Sequence, residues 1–165
     1  MRQIMVDWMD EVCSEFMLRR ETYHLAVFYI DLYLTKTKDV LRTQLQLVGV
    51  TSMYIACKVN EIYHPNVHDF VRSTDNGYTS AQILDKELDI LKTLGFEMNP
   101  PTLNYFGNMY MTQWDNFYEA NKAHPIFNEG GTKVVIFKSD TPDSYQLYLQ
   151  FMTVIDMMLY DVETL

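Results

Sequence analysis

The sequence contains two Glu-x-x-His pairs, Glu21 with His24 in E-T-Y-H and Glu61 with His64 in E-I-Y-H. Residues three apart on an α-helix share a face, so each pair could bring a carboxylate and an imidazole to one point. Di-iron carboxylate bundles hold their metals this way, with a further glutamate from each of two other helices. The surrounding residues argue against that chemistry. Pro65 follows His64 and biases it out of the α region, so Glu61 and His64 need not face the same way. The helices that would supply the other two glutamates carry Met, Leu, Ile and Trp on their inward stripes instead. His24 lies between Tyr23 and Leu25, which suits a packed or surface histidine. The sequence has no Ser-His-Asp arrangement, phosphate-binding glycine loop, zinc spacing or CxxC pair to offer another catalytic route. Neither a metal nor a cofactor is implied.

The elements that carry these residues read as helices. Met1, Ile4, Met5, Trp8, Val12 and Phe16 follow a 3-4 spacing that predicts a first helix. The pattern is in stride at Met1 with no cap before it, which predicts that the chain extends upstream. A second helix is expected over about residues 21–34, with Leu25, Phe28, Tyr29 and Leu32 on its apolar side, and T-K-T-K-D then turns the chain. Residues 40–62 are apolar nearly all round, as a central covered helix must be. Gly49, Ser52 and Ala56 in it are small enough for close approach. Gly49 costs about 1 kcal/mol against alanine, a cost close packing would offset. Residues 66–71 read as a short helix or turn, and T-D-N-G as a loop. Thr79 with Gln82 makes a capping box for a fifth helix, with Ile83, Leu84, Leu88, Leu91 and Leu94 on one face and Gly95 as its C′ residue. N-P-P at 99–101 interrupts the chain, Thr102 is placed to cap a sixth helix ending near Tyr118, and residues 144–160 are helical again. Residues 119–143 are less regular, with V-V-I-F at 134–137 read as loop or an irregular turn. The fold class expected is all-α.

Net charge is −9, from 22 acidic and 13 basic residues. A nucleic-acid-binding surface would want a basic excess, so an acidic, protein-facing surface is the simpler expectation. There is no apolar run of membrane-spanning length and no signal peptide. Cys13 and Cys57 suit buried thiols in a reducing compartment better than a disulfide. Together these point to the nucleus or cytoplasm, with no membrane partner.

M-R-Q-I-M-V-D-W, L-Q-L-V-G and K-V-N-E-I-Y resemble the cyclin box, nearly collinearly over residues 1–102. R-E-T before the second helix, a one-residue-longer turn around Lys38, and V-H-D-F after Pro65 resemble the E-type cyclins most, with the A-type next. The family fold is two repeats of a five-helix bundle. The resemblance therefore implies a first cyclin box over residues 1–98, without its upstream helix, and the start of a truncated second repeat over 99–165. Apolar faces at Phe106, Tyr110, Phe151 and Met158 would then stand uncovered. Residues 119–143 match poorly and the resemblance implies nothing there.

Five positions that mark the family's box occur here as Arg2, Asp31, Leu47, Lys58 and Glu87. The resemblance implies an ion pair of Arg2 with Asp31 that ties the first helix to the second. It implies that Lys58 and Glu87 hold a partner kinase, within a surface of Ile55, Lys58, Val59, Glu87, Leu91 and Phe96. Read without it, Lys58 is a solvated cation favoured by the helix dipole and Glu87 an exposed helix carboxylate. It further implies a substrate-docking groove of Met1, Ile4, Met5, Trp8, Glu11, Arg42, Leu45 and Gln46, for substrates and inhibitors bearing a short basic-x-leucine motif. One departure is that the family usually carries two acids where this chain has Asn60 and Glu61. The function implied is regulation of a cyclin-dependent kinase at the G1/S transition, in the nucleus or else the cytoplasm, with no catalysis and no cofactor of its own. The alternatives are an A-type cyclin with an S-phase role, a protein–DNA adaptor that the charge disfavours, and the di-iron bundle.

Overall fold

The computed structural model describes residues 1–38, 40–122, 124 and 142–160, with side chains described from 146 to 159 in the last stretch. Among these residues the chain forms seven α-helices and no strand. They are α1 (Arg2–Glu15), α2 (Arg20–Lys36), α3 (Leu45–Asn60), α4 (Val67–Ser73), α5 (Ser80–Thr93), α6 (Leu103–Asn121) and α7 (Pro142–Tyr160), with a 3-10 turn at Arg42–Gln44 before α3. The all-α expectation holds. The reading of V-V-I-F at 134–137, like most of 119–143, lies outside the described residues.

The chain divides into two units, one built on Met1–Thr102 and the other on Leu103–Met158. In the first, α3 is the centre. Every residue from Leu47 to Cys57 is buried, which a helix can achieve only with neighbours on all sides. It packs on α1, α2, α4 and α5. It is shorter than the expected 40–62. Leu41 is extended and the chain tightens into the 3-10 turn before α3 begins, while Glu61 is extended at the other end. Arg42 accordingly lies on the 3-10 turn, outside the third helix.

In α5 the buried face differs from the one expected, whereas α1 leaves Met1 and Ile4, two of the expected groove residues, outside the core. In α1 the buried stripe is Met5, Val6, Met9, Val12 and Cys13; Met1 and Ile4 are exposed. In α5 the stripe is Ile83, Glu87 and Ile90, continued by Leu94, while Leu84 and Leu88 are exposed. The 4-3-4 spacing of Ile83, Glu87, Ile90 and Leu94 is as helical as the run of leucines beside it. Packing on α3 chooses between them. The capping box of Thr79 with Gln82 is formed, and Gly95 follows α5 with φ +67°, the left-handed value a C′ glycine accepts at little cost. A second box, Asn66 with Asp69, opens α4 and makes that segment a helix.

In the second unit α6 buries Asn104, Gly107, Met111 and Asp115, one stripe of a helix. Met111 packs with Met152 and Ile155 of α7, flanked by Tyr148 and Phe151. A Cβ on Gly107 would run into Ile155 Cδ1, so this glycine sets how closely the two helices approach. Phe106, Tyr110 and Met158 are exposed, as the sequence led one to expect, and Phe151 is half-buried.

Candidate functional site

Lys58 stands in the last turn of α3 and Glu87 midway along α5, and the packing of these helices brings the two together. The Lys58 ammonium donates to Glu87 Oε1, with side-chain exposures of 34% for Lys58 and 12% for Glu87. Neither is the free, solvated group that the bare sequence suggests. The Lys58 ammonium also sits 4.4 Å from the centroid of the Tyr54 ring. Exposed apolar side chains flank the two residues along their own helices, Val59 next to Lys58 on α3 and Leu84 and Leu88 within one turn of Glu87 on α5, and Ile62, Tyr63 and Phe96 past the helix ends are exposed as well. Leu91 is half-buried, and Ile55 is buried beneath. Phe96 has φ +61° directly after Gly95, uncommon for a bulky residue; this double left-handed step ends α5 with the phenyl ring in solvent. The site holds no nucleophile with a base beside it. What it offers is a half-desolvated ion pair with spare hydrogen-bonding capacity, since an ammonium has three donors and a carboxylate several acceptor positions, with exposed apolar side chains along the same helices. That suits recognition of another protein's main chain.

A groove lies across the start of α3. Met1, Ile4, Met5 and Trp8 line it from one side and Arg42, Leu45 and Gln46 from the other, enclosing about 290 Å³. Seven of the eight residues implied by the resemblance meet there. Glu11 is exposed further along α1 and does not line it. Met5 is only 7% exposed and forms the floor. Gly49 lies below it, where an added Cβ would meet Met5 Sδ at 3.4 Å and Trp8 Cζ3 at 3.5 Å. Those are ordinary van der Waals distances, so close packing does not require glycine here and does not offset its helix cost.

The family profile described as "Cyclin, N-terminal domain" matches residues 1–99. This chain belongs to the cyclin family. It is 44% identical over 111 residues to a G1/S-specific cyclin-E of Hemicentrotus pulcherrimus, covering 67% of this chain and 26% of that protein. It is 50% identical over 115 residues to a G2/mitotic-specific cyclin-A of Patella vulgata, covering 70% and 27%. The chain thus spans about a quarter of the length of these curated relatives. A viral cyclin from herpesvirus saimiri shares the fold, with a TM-score of 0.63 at 20% identity over 97% of this chain and 82% of that one.

The remaining marks of the cyclin box have clear places. Arg2 holds Asp31 in a two-pronged pair, Nε to Oδ1 and Nη2 to Oδ2, both 2.7 Å. This ties the start of α1 to α2, and the hydrogen bond to Asp31 raises the Arg2 pKa further above its ordinary value. The pair is part-buried, with side-chain exposures of 14% for Arg2 and 34% for Asp31, so solvent screening keeps the cost of losing one partner below that of a fully buried pair. Leu47 is buried in the core.

The Glu-x-x-His letters turn out to do structural work in this cyclin. Glu61 accepts hydrogen bonds from Arg19 N at 2.8 Å and Thr22 Oγ1 at 2.5 Å, while Asn60 Nδ2 donates to Thr22 Oγ1 at 2.8 Å. Together they tie the end of α3 to the first turn of α2. Glu21 accepts from Thr102 Oγ1 at 2.7 and 2.8 Å. His24 is buried, whereas His64 is exposed with Nδ1 3.0 Å from the Pro65 carbonyl. Among the described residues no group of three His, Cys, Asp or Glu side chains is arranged to hold a metal. Among the same residues no helix is long and apolar enough to cross a membrane. The Glu61 tether was missed from sequence. Its signal was the departure at Asn60–Glu61, where an amide and an acid suit a hydroxyl partner such as Thr22.

Proposed function

We propose that this cyclin is the regulatory subunit of a cyclin-dependent kinase, binding the catalytic subunit through Lys58 and Glu87 and activating it. The observation that supports this most is the Lys58–Glu87 pair itself, half-desolvated, with Val59 next to Lys58 on α3 and Leu91 one turn past Glu87 on α5. Activation would be differential binding to two kinase conformations. Docking on the kinase's αC helix favours the state in which its lysine–glutamate ion pair and magnesium site are assembled. Charge-assisted hydrogen bonds contribute about 1.5–3 kcal/mol each. Lys58→Ala combined with Glu87→Ala should therefore weaken binding about 100-fold or more. Calorimetric affinities equal to the parent would reject the assignment.

The groove is proposed to dock substrates and inhibitors that carry a basic residue followed, one position on, by leucine. Ile4, Trp8 and Leu45 supply apolar contacts for the leucine. The proposed stage is the G1/S transition, in the nucleus, without contact to nucleic acid or membrane. R-E-T, the turn around Lys38 and V-H-D-F support that stage. The A-type reading, with an S-phase role, is favoured by the 50% identity to the cyclin-A of Patella vulgata. Timing the associated kinase activity in synchronised cells separates the two: a peak before DNA synthesis fits the first, and a peak during it fits the second.

A further inference from the structure

We propose that Tyr54 is a positioning residue for Lys58, its ring holding the ammonium where a kinase would meet it. The proposal rests on the reading of Lys58 as a kinase contact. Tyr54 and Lys58 are four apart in α3, one turn of helix. Helical side chains lean toward the N-terminus, so Lys58 lies back over the turn that carries Tyr54. The ammonium is 4.4 Å from the ring centroid, well inside the range in which a ring face attracts a cation. The ring itself is anchored. Tyr54 is 9% exposed and meets Phe70 edge to face at 5.5 Å, and Phe70, wholly buried, meets Phe16 in the same way at 5.3 Å. Phe16 follows α1 and Phe70 belongs to α4, so the Tyr54 ring is backed by Phe70, which is held in turn by Phe16.

Glu87 restrains the ammonium from α5. One contact alone would let a flexible lysine swing about its partner, whereas a carboxylate and a ring face together leave it one position. Fixing a rotamer-rich side chain before a partner arrives lowers the cost of ordering it on binding. Leucine at position 54 would fill the same core space and attract nothing.

The test uses the full chain and a purified cyclin-dependent kinase catalytic subunit. Two quantities are measured: the proton shifts of the Lys58 ε-methylene in the free protein, which a ring face moves upfield, and the calorimetric affinity. Tyr54→Phe should match the parent in both. Tyr54→Leu should lose the upfield shift and bind about threefold to tenfold more weakly. Trifluorophenylalanine in place of Tyr54 keeps the shape while flattening the ring's charge distribution. It should weaken binding relative to Tyr54→Phe at unchanged melting temperature, and it decides the matter if Tyr54→Leu fails to fold. Parent affinity with trifluorophenylalanine, while Lys58→Ala binds weakly, would overturn the positioning role alone. Parent affinity in Lys58→Ala would overturn the kinase reading and this proposal with it.

Discussion

Glu61 gives the sharpest structural prediction. Its carboxylate is 11% exposed and accepts from Arg19 N and from the Thr22 hydroxyl. In Glu61→Ala both hydrogen bonds, which share the acceptor Oε1, vanish. Thr22 is 1% exposed, so its hydroxyl proton is left buried without a partner, at about 1–3 kcal/mol. Arg19 is the N-cap of α2 and its N–H lies at the surface, so its loss resembles that of an exposed cap, about 0.5–2 kcal/mol. The Arg19 guanidinium is 3.8 Å away and mostly exposed, worth at most about 1 kcal/mol. A total of about 1.5–6 kcal/mol follows, a large share of a typical 5–15 kcal/mol stability. Glu61→Gln keeps an acceptor oxygen and should cost less than about 1 kcal/mol. Urea unfolding followed by far-ultraviolet circular dichroism gives both values if the slope is unchanged. The reasoning is refuted if Glu61→Ala lies within about 0.5 kcal/mol of the parent, or if Gln costs as much as Ala.

Ile4→Ala with Trp8→Ala, assayed in a kinase complex, should raise the apparent KM for substrates bearing the basic-x-leucine motif and leave short motif-free peptides unchanged; equal loss on both would mean the fold was damaged. Burial pushes the Cys57 thiol up to about 12 and the Cys13 thiol well above its ordinary value. Neither should react with a disulfide reagent at pH 8 until the protein is unfolded, and rapid labelling of the native chain would contradict this. Burial, aided by the charge of Glu21, raises the Tyr29 phenol to about 12, and its hydroxyl donates to the Met98 carbonyl at 2.5 Å. The folded state therefore holds this proton more tightly than the unfolded chain, whose tyrosines titrate near 10. That contribution is complete below about pH 10 and is lost as pH rises toward 12. The stability gap between the parent and Tyr29→Phe should narrow over that window, and a constant gap would refute the linkage.

How much could be read from the sequence follows from where each signal resides. The caps of α5 were legible because a capping box is local: Thr79 and Gln82 satisfy one another across three residues. The centrality of α3 was legible because an unbroken apolar run leaves no solvent face. The buried face of α5 was not, since Leu84 and Leu88 are as helically spaced as Ile83 and Ile90, and only the position of α3 decides between them. In α1, by contrast, Met1 and Ile4 belong to the groove that the family resemblance implies, and both are exposed and line it. The Lys58–Glu87 contact spans 29 residues of sequence, and the Glu61–Thr22 contact 39. Neither has a periodicity to betray it, and the first was expected only through the family resemblance.

The two proposed surfaces lie at opposite ends of one buried helix, and this bears on how they work together. Gln46 at the groove and Lys58 at the ion pair are twelve residues apart on α3, about 18 Å along the axis. Each surface borrows its remaining residues from different neighbours, α1 for the groove and α5 for the ion pair. Sites so far apart with no shared partner ordinarily respond additively. The kinase-facing end can thus be fixed by Glu61, Tyr54 and Glu87 without constraining the groove. Changes at exposed groove residues such as Ile4 should likewise leave the Lys58–Glu87 pair undisturbed. A rigid central helix would keep the distance between the two constant, so that, on the proposed function, a substrate held in the groove would meet a bound kinase in one fixed relation.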